Sequence, residues 1–380
     1  MAPNLTGMPV HIIDTTLRDG EQAPGVAFST AEKMAILLLL DDAGVDELEV
    51  GIPAMGPAVC REIREMAALD PDCLLTSWCR AVKADIELAA DCGTDGVHIS
   101  FPVSSILLRA LGKTTDWVLT RLDALVPFAS ERFRMVSVGA QDAFRASPDF
   151  LDAFVRSAAA RGVHRVRIAD TVGLARPSRV ADMVRQLAPP AGAAALEFHG
   201  HNDLGMATAN TIAAIEAGIG AVSVTVNGIG ERAGNAPLEQ VAVAVATLDD
   251  RHSAIDTRKL MAVCRFVSRV THRPIAVDRP ITGDAAFSHE SGIHCAAVLK
   301  DPDTYQPFSP EMVGRRRSRL VVGRHSGSAV LKHTMKKAGL ILDDQKTGQL
   351  LASVRTEALR KKAPISPGEL VQLYHQTCSR

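Results

Sequence analysis

Residues 10–52 read VHIIDTTLRDGEQAPGVAFSTAEKMAILLLLDDAGVDELEVGI. An apolar run at 10–14 gives way to a helical pattern over 31–43 and then to a second apolar run at 47–52. A strand, a helix and a strand in that order predict two parallel strands joined by a right-handed crossover. The same unit recurs along the chain. Further strand candidates lie at 74–78, 97–101, 133–138, 166–169, 196–199 and 222–226, and helical patterns at 116–128, 148–160, 177–187, 205–217 and 237–248. Eight such units in about 250 residues fit a (β/α)8 TIM barrel. A doubly wound open sheet is the competing arrangement, and the strand count favours the barrel.

The pattern changes after the eighth unit. Residues 256–270 read as one more helix, 272–327 are rich in Pro, Gly, Ser and His, and helical patterns return from 328. The expected organisation is a TIM-barrel domain over 1–254 and a smaller, mainly helical C-terminal subdomain over 255–380.

Composition agrees with that class and narrows the partners. Of the 380 residues 47% are hydrophobic but only 4% aromatic, which suits parallel strands buried on both faces. A net charge of −1 gives no support for nucleic-acid or membrane binding. None of the seven cysteines forms a CxxC pair, so neither a disulfide framework nor a zinc knuckle is expected, and a cytoplasmic setting is the simplest. Residues 1–9 lack the pattern of a secretory signal, and the longest apolar run, 36–40, is far short of the roughly 20 residues that span a bilayer.

In a barrel the chemistry sits at the C-terminal ends of the strands. Strand one runs into Asp14-Thr15-Thr16-Leu17-Arg18-Asp19-Gly20-Glu21-Gln22, strand seven into Phe198-His199-Gly200-His201-Asn202-Asp203, and strand eight into Asn227-Gly228-Ile229-Gly230-Glu231-Arg232-Ala233-Gly234-Asn235. These three strands are neighbours once a barrel closes. His199 and His201 are two apart, so both side chains point the same way. With the Asp19 carboxylate and the Asn235 amide they form a mixed N/O set suited to Zn, Mn or Mg with positions left open. Arg18 can clamp a carboxylate or an enolate oxygen beside that cation.

Thr16-Leu17-Arg18-Asp19-Gly20-Glu21-Gln22 resembles the signature of the Asp-Arg-Glu TIM metallolyase superfamily. The segments His199-Gly200-His201-Asn202-Asp203-Leu204-Gly205, Gly230-Glu231-Arg232-Ala233-Gly234-Asn235 and His289-Glu290-Ser291-Gly292-Ile293-His294 resemble its 2-isopropylmalate, homocitrate and citramalate synthase branch. The resemblance covers roughly residues 9–340, with the motifs in the expected order. It implies a Claisen condensation of acetyl-CoA with a 2-oxo acid, followed by thioester hydrolysis. It assigns Asp19, His199 and His201 as metal ligands with Asn235 as a further position, and Arg18 to oxyanion charge. His294 would be the acid/base group, with Tyr305 as its helper. Because His294 lies on the subdomain, the resemblance also implies a homodimer that exchanges subdomains onto partner barrels. One departure stands out: Gln141-Asp142 replaces the Glu-Asp pair that many members carry after strand five, and a glutamine cannot shuttle a proton.

The choice of 2-oxo acid turns on the pocket. Arg109 is similar to an arginine found near this point in homocitrate synthases, and His98, Ser137 and Thr171 are candidates to line the pocket, Thr171 at the substrate carboxylate. Segments 51–56 and 77–81 also look like those of bacterial homocitrate synthases linked to nitrogen fixation. The chain ends at Arg380, leaving no room for the regulatory domain of leucine-sensitive relatives. The expected substrates are therefore 2-oxoglutarate and acetyl-CoA, with homocitrate for the nitrogenase iron–molybdenum cofactor as the product. 2-Isopropylmalate or citramalate synthesis is the alternative. A lyase of the 3-hydroxy-3-methyl acyl-CoA or aldolase type is a more distant one, since lyases usually lack the subdomain. The basic run Arg315-Arg316-Arg317 reads as a solvated face or a contact for coenzyme A phosphates, and Cys295 reads as packing.

Overall fold

Eight parallel strands close on themselves in chain order: β1 (His11–Asp14), β2 (Glu47–Glu49), β3 (Leu74–Arg80), β4 (Gly96–Pro102), β5 (Met135–Gln141), β6 (Arg165–Asp170), β7 (Ala195–Gly200) and β8 (Ala221–Val224). The last strand returns to the first, with His11 opposite Ala221 and Ile13 opposite Ser223. The computed structural model describes residues 8–248 and 251–378. All eight strand positions expected from the sequence are occupied, and the open-sheet alternative is excluded by the closure. A further parallel pair, Met8–Pro9 with Arg251–His252, lies outside the ring.

The helices between strands follow from local chemistry. Helix α1 (Thr30–Asp42) begins at Ser29, whose hydroxyl accepts from the Glu32 backbone while Glu32 reaches back to the Ser29 backbone, a capping box. It buries Ile36, Leu37 and Leu40. Two of the helices absent from the sequence expectation, α2 (Pro57–Ala67) and α3 (Lys83–Ala90), carry thin apolar stripes: Cys60, Ile63 and Met66 on one, Ile86 and Ala89 on the other. The helices α4 (Ser105–Ala110), α5 (Thr115–Ser130), α6 (Pro148–Ala160), α7 (Pro177–Ala191), α8 (Ala207–Glu216) and α9 (Leu238–Ala246) complete the outer layer.

The barrel interior departs from the usual filling of branched aliphatic layers. Glu47 on β2 and Arg165 on β6 lie four strands apart, so their 2.7 Å bond crosses the lumen. From there a chain of opposite charges runs through the core. His11 Nε2 lies 3.1 Å from Glu47, Arg165 also binds Glu197 at 2.7 Å, and Glu197 pairs with Arg167. Arg167 reaches Glu49 at 2.8 Å, Glu49 pairs with Arg18, and Arg18 binds Asp19 at 2.8 Å. Every member but His11 is buried. Burial alone raises the Glu47 carboxyl, yet Arg165 and His11 outweigh it and bring it down to about 2. Burial likewise opposes ionisation of Glu197, and Arg167 and Arg165 hold it below its ordinary value.

Two compact units divide between Ile275 and Ala276, later than the boundary at 254 that the sequence suggested. The intervening helix α10 (Leu260–Val270) belongs with the barrel. Its lead-in is tied to the end of α1, with the Asp256 amide donating to the Ala43 carbonyl at 2.8 Å and Lys259 bound to Asp42. The second unit is mainly helical: α11 (Gly292–Val298), α12 (Ser328–Lys337), α13 (Asp344–Lys361) and α14 (Pro367–Cys378), with a short parallel pair, Ser288–His289 and Arg319–Leu320. Its core gathers Val330, Leu331, Met335, Leu350, Val354 and Leu370 around Cys295. Cys295 is therefore a packing residue.

Candidate active site

The turn after β1 is built to present two adjacent side chains. The amide of Thr16 donates to Asp14, the amides of Arg18 and Gly20 both donate to the Thr15 carbonyl, and Thr16 Oγ1 accepts from the amide of Val226 beyond β8. The loops of the first and last strands are thus fastened together. Asp19 faces His199 and His201 from β7, with Oδ2 3.3 Å from His199 Nε2 and Oδ1 3.7 Å from His201 Nε2. One potential ligand atom from each of the three lies within 4.8 Å of the others, and all three residues are buried. Asn235, bridged to His201 through the backbone, donates from Nδ2 to Asp19 Oδ1 at 3.1 Å.

The donor set fits a divalent cation. His201 Nδ1 lies 3.2 Å from the Asp170 carbonyl, which fixes the tautomer that leaves a lone pair on Nε2. Burial pushes the His199 imidazole down to about 4, against the pull of Asp19, so it is neutral. Burial would raise Asp19, but Arg18 first and then both histidines hold it well below the usual carboxylate range. The neutral His199 imidazole, Nε2 of His201 and the Asp19 carboxylate therefore face one another. Asn235 Oδ1 is buried beside them without a hydrogen-bond partner among the described residues. Such a cluster of acceptors is satisfied by a cation of the Mg, Mn or Zn type.

A cavity of about 260 Å³ opens above this cluster. Arg18, Asp19, His98, Thr171, His199 and His201 all line it. Ser137 is buried behind His98, its hydroxyl 2.7 Å from His98 Nδ1, so it orients the imidazole rather than forming the wall. Thr171 Oγ1 accepts from the Asp142 amide at 2.8 Å, leaving its own hydrogen free to donate. Arg109 is not on the wall. It is exposed on α4, next to the buried Leu108, and the turn between adjacent helix positions carries it to the outer face. His294 and Tyr305 lie in the second unit with their rings stacked at 4.0 Å.

Comparison with known proteins places the chain. Residues 9–267 match the family model described as HMGL-like, and residues 281–362 match the model described as homocitrate synthase post-HMGL domain-like. The chain belongs to the HMGL-like family, in its 2-isopropylmalate, homocitrate and citramalate synthase branch. It is 45% identical over 335 residues to the homocitrate synthase of Frankia alni, covering 87% of this chain and 94% of that one. It is 42% identical to 2-isopropylmalate synthase 2 of Caldanaerobacter subterraneus subsp. tengcongensis, covering 96% and 95%. It is 40% identical to 2-phosphonomethylmalate synthase of Streptomyces rubellomurinus, covering 96% and 98%. This HMGL-like protein is thus an acyltransferase that condenses acetyl-CoA with a 2-oxo acid.

Within this family member, several wall residues escaped the sequence reading: Trp78, Ser100, Arg167, Glu231 and Arg232. A sign of them was there. Glu47-Leu48-Glu49 and Arg165-Val166-Arg167 each place two charges on one face of a strand in a fold that buries both faces. Buried charges demand partners, and these pairs answer each other. Gln141, the departure from the usual pair, does line the cavity of this HMGL-like protein.

The loop after β8 has no space for a side chain at Gly230 or Gly234. At Gly230 (φ +157°) an added Cβ would lie 2.2 Å from Asn235 Nδ2 and 3.1 Å from Asp19 Oδ1. Gly230→Ala is expected to displace both and to weaken divalent-metal binding by roughly 10–100-fold. Calorimetric titration with Mn or Zn checks this, and wild-type affinity would refute it.

Proposed function

We propose that the chain condenses acetyl-CoA with 2-oxoglutarate to give homocitrate and CoA. The observation that carries this reading is the chemistry of the cavity wall. Arg18, Arg167 and Arg232 line it together with Ser100 and Thr171, and no Val, Leu or Ile among the described residues does. A branched apolar tail such as that of 2-oxoisovalerate calls for an apolar wall, whereas a tail carboxylate calls for cations and donors. Arg109, the cation suggested by the sequence, is not on this wall, and the tail carboxylate falls to a cation that is. A phosphonate tail is the second reading. The same cationic wall suits it, and the Streptomyces relative named for such a product is covered almost end to end.

Asp19, His199, His201 and Asn235 would hold the divalent cation, which supplies Lewis-acid polarisation of the ketone and of the adjoining carboxylate. Thr171 donates its hydroxyl hydrogen to the substrate carboxylate. Arg18, pinned by Glu49 and Asp19, presents its remaining guanidinium hydrogens to the oxygen that gains charge as the carbon–carbon bond forms. His294, stacked on Tyr305, takes the proton from the acetyl methyl group, the methyl carbon attacks the keto carbon, and the proton is returned to the keto oxygen to give the hydroxyl. Water then cleaves the thioester, releasing CoA as the thiol and leaving the new carboxylate. Gln141 cannot take part in these proton transfers, which leaves them to His294 and water.

The second unit would contribute to the acetyl-CoA site and to a homodimer in which each copy places its His294 at the partner's barrel. The match of residues 281–362 to the homocitrate synthase post-HMGL model supports a synthase over a lyase. No helix among the described residues is long and apolar enough to cross a membrane. A cytoplasmic enzyme supplying homocitrate for the nitrogenase iron–molybdenum cofactor completes the reading. CoA release, followed with divalent metal and with 2-oxoglutarate, 2-oxoisovalerate, pyruvate or 3-phosphonopyruvate, tests it. 2-Oxoglutarate is expected to give the highest kcat/KM, with homocitrate confirmed by mass. Preference for 2-oxoisovalerate or pyruvate would overturn the substrate assignment.

A further inference from the structure

Arg167 occupies an unusual position. It is almost wholly buried, it carries a charge, and it lines the cavity. Its Nε binds Glu197, and its Nη2 lies 2.8 Å from Glu49 as an ion pair but is buried with no hydrogen-bond partner among the described residues. Two carboxylates from β2 and β7 thus hold the guanidinium from behind and leave one edge presented to the cavity. A preorganised cation loses little rotamer freedom when a ligand arrives, which is how a planar fork selects an anion.

Strand register fixes its depth. Ala169 pairs with His199, and Arg167 pairs with Glu197. Arg167 is therefore rooted two residues below the imidazole layer, roughly 7 Å deeper along the strand. A 2-oxo acid whose keto and carboxylate oxygens sit at Asp19, His199 and His201 would direct its tail toward this layer. Gly139, opposite Arg167 on the neighbouring β5, makes room for the His98 imidazole at this depth: an added Cβ there would lie 2.5 Å from His98 Nε2. Arg232 offers a different kind of cation. It is half exposed at the rim, and its fork is already engaged by Asp203 at 2.8 Å and by the Thr171 carbonyl.

We infer that Arg167 is the specificity-determining residue of this site, binding the distal anion of the 2-oxo acid, with Glu49 and Glu197 as the residues that position it. The inference deepens the anionic-tail reading above and rests on it. Arg232 is excluded from the selecting role, and the rim cation steadies the loops after β6 and β7 instead.

The test compares 2-oxoglutarate, 3-phosphonopyruvate and pyruvate in wild type, Arg167→Gln, Arg167→Lys and Arg232→Gln, with circular dichroism melting as the fold control. Arg167→Gln is expected to lower the ratio of kcat/KM for the acid with the anionic tail to that for pyruvate by about a hundredfold, mainly through KM for the former. Arg167→Lys keeps the buried charge, so it folds where the glutamine variant does not, and it is expected to retain an intermediate preference. Equal losses on all three acids would make Arg167 a purely structural residue and overturn the inference. A loss of selectivity that follows Arg232→Gln instead would overturn it as well. The wild-type arm judges the functional reading separately. Wild-type preference for the phosphonate, with selectivity lost in Arg167→Gln, would uphold Arg167 while displacing 2-oxoglutarate. A wild type that uses neither anionic-tailed acid would overturn both.

Discussion

His201→Ala is expected to reduce kcat by at least about a thousandfold, a loss of roughly 4 kcal/mol of transition-state stabilisation. The imidazole is one of three buried groups whose ligand atoms lie within 4.8 Å of each other. Its tautomer is set by the Asp170 carbonyl, so the lone pair on Nε2 has no other role in the fold. Removing it leaves one imidazole and one carboxylate, with Asn235 beside them, too few strong ligands to keep a cation in a water-filled cavity. The fold should survive, because His201 lies beyond the end of β7 and its backbone bond to the Asp170 carbonyl is kept by alanine. The measurements are turnover, bound metal by elemental analysis, and melting temperature. Full activity with an unchanged metal content would remove His201 from the metal site. Loss of activity with wild-type metal content would instead make it a substrate contact.

Glu197→Ala is expected to destabilise the barrel by about 3–5 kcal/mol. Glu197 is completely buried and bridges Arg165 and Arg167, and it also accepts from Ser223. Truncating it leaves two arginines facing each other in the lumen with one carboxylate partner each, Glu47 for Arg165 and Glu49 for Arg167. The cost is that of stranding buried cations, and it is far larger than the net worth of the intact pairs. A well-packed apolar core of equal volume would hold the barrel as well. What the ion chain adds is placement: it runs through Arg167 and Glu49 to Arg18, and so fixes the two cations proposed to meet the substrate. Urea denaturation of the two proteins measures the difference, and a midpoint unchanged from wild type would show that the lumen tolerates the loss.

Much of this was legible in the chain. The eight strands were, because parallel strands buried on both faces leave apolar runs that turn signals punctuate. Asp19, His199 and His201 were legible too, since they lie beside strand ends and a closed barrel makes those ends converge. The wall cations were not. Arg109 and Arg167 both sit near expected strand ends, and nothing local distinguishes an arginine on the outer face of α4 from one inside β6. That difference depends on strand orientation and on Glu49 and Glu197, which are remote in sequence. The same holds for α2 and α3, whose stripes of two or three apolar residues fall below what periodicity can resolve. The unit boundary moved for a related reason: the tie between Asp256 and Ala43 joins segments far apart in the chain.

The seam between β8 and β1 has a consequence for synthesis. Strand β1 is among the first parts of the barrel to be made, yet its partner along one edge, residues 221–224, is among the last. Until then the nascent chain carries an unpaired strand edge, a template for association with other chains. The candidate metal site straddles that seam, taking Asp19 from one side and His199, His201 and Asn235 from the other. A cation bound there would act as a cross-link across most of the barrel's length, and it could be captured only by a chain that has already closed. Metal uptake would then mark the completion of folding, and scarcity of metal during expression would appear first as aggregated protein.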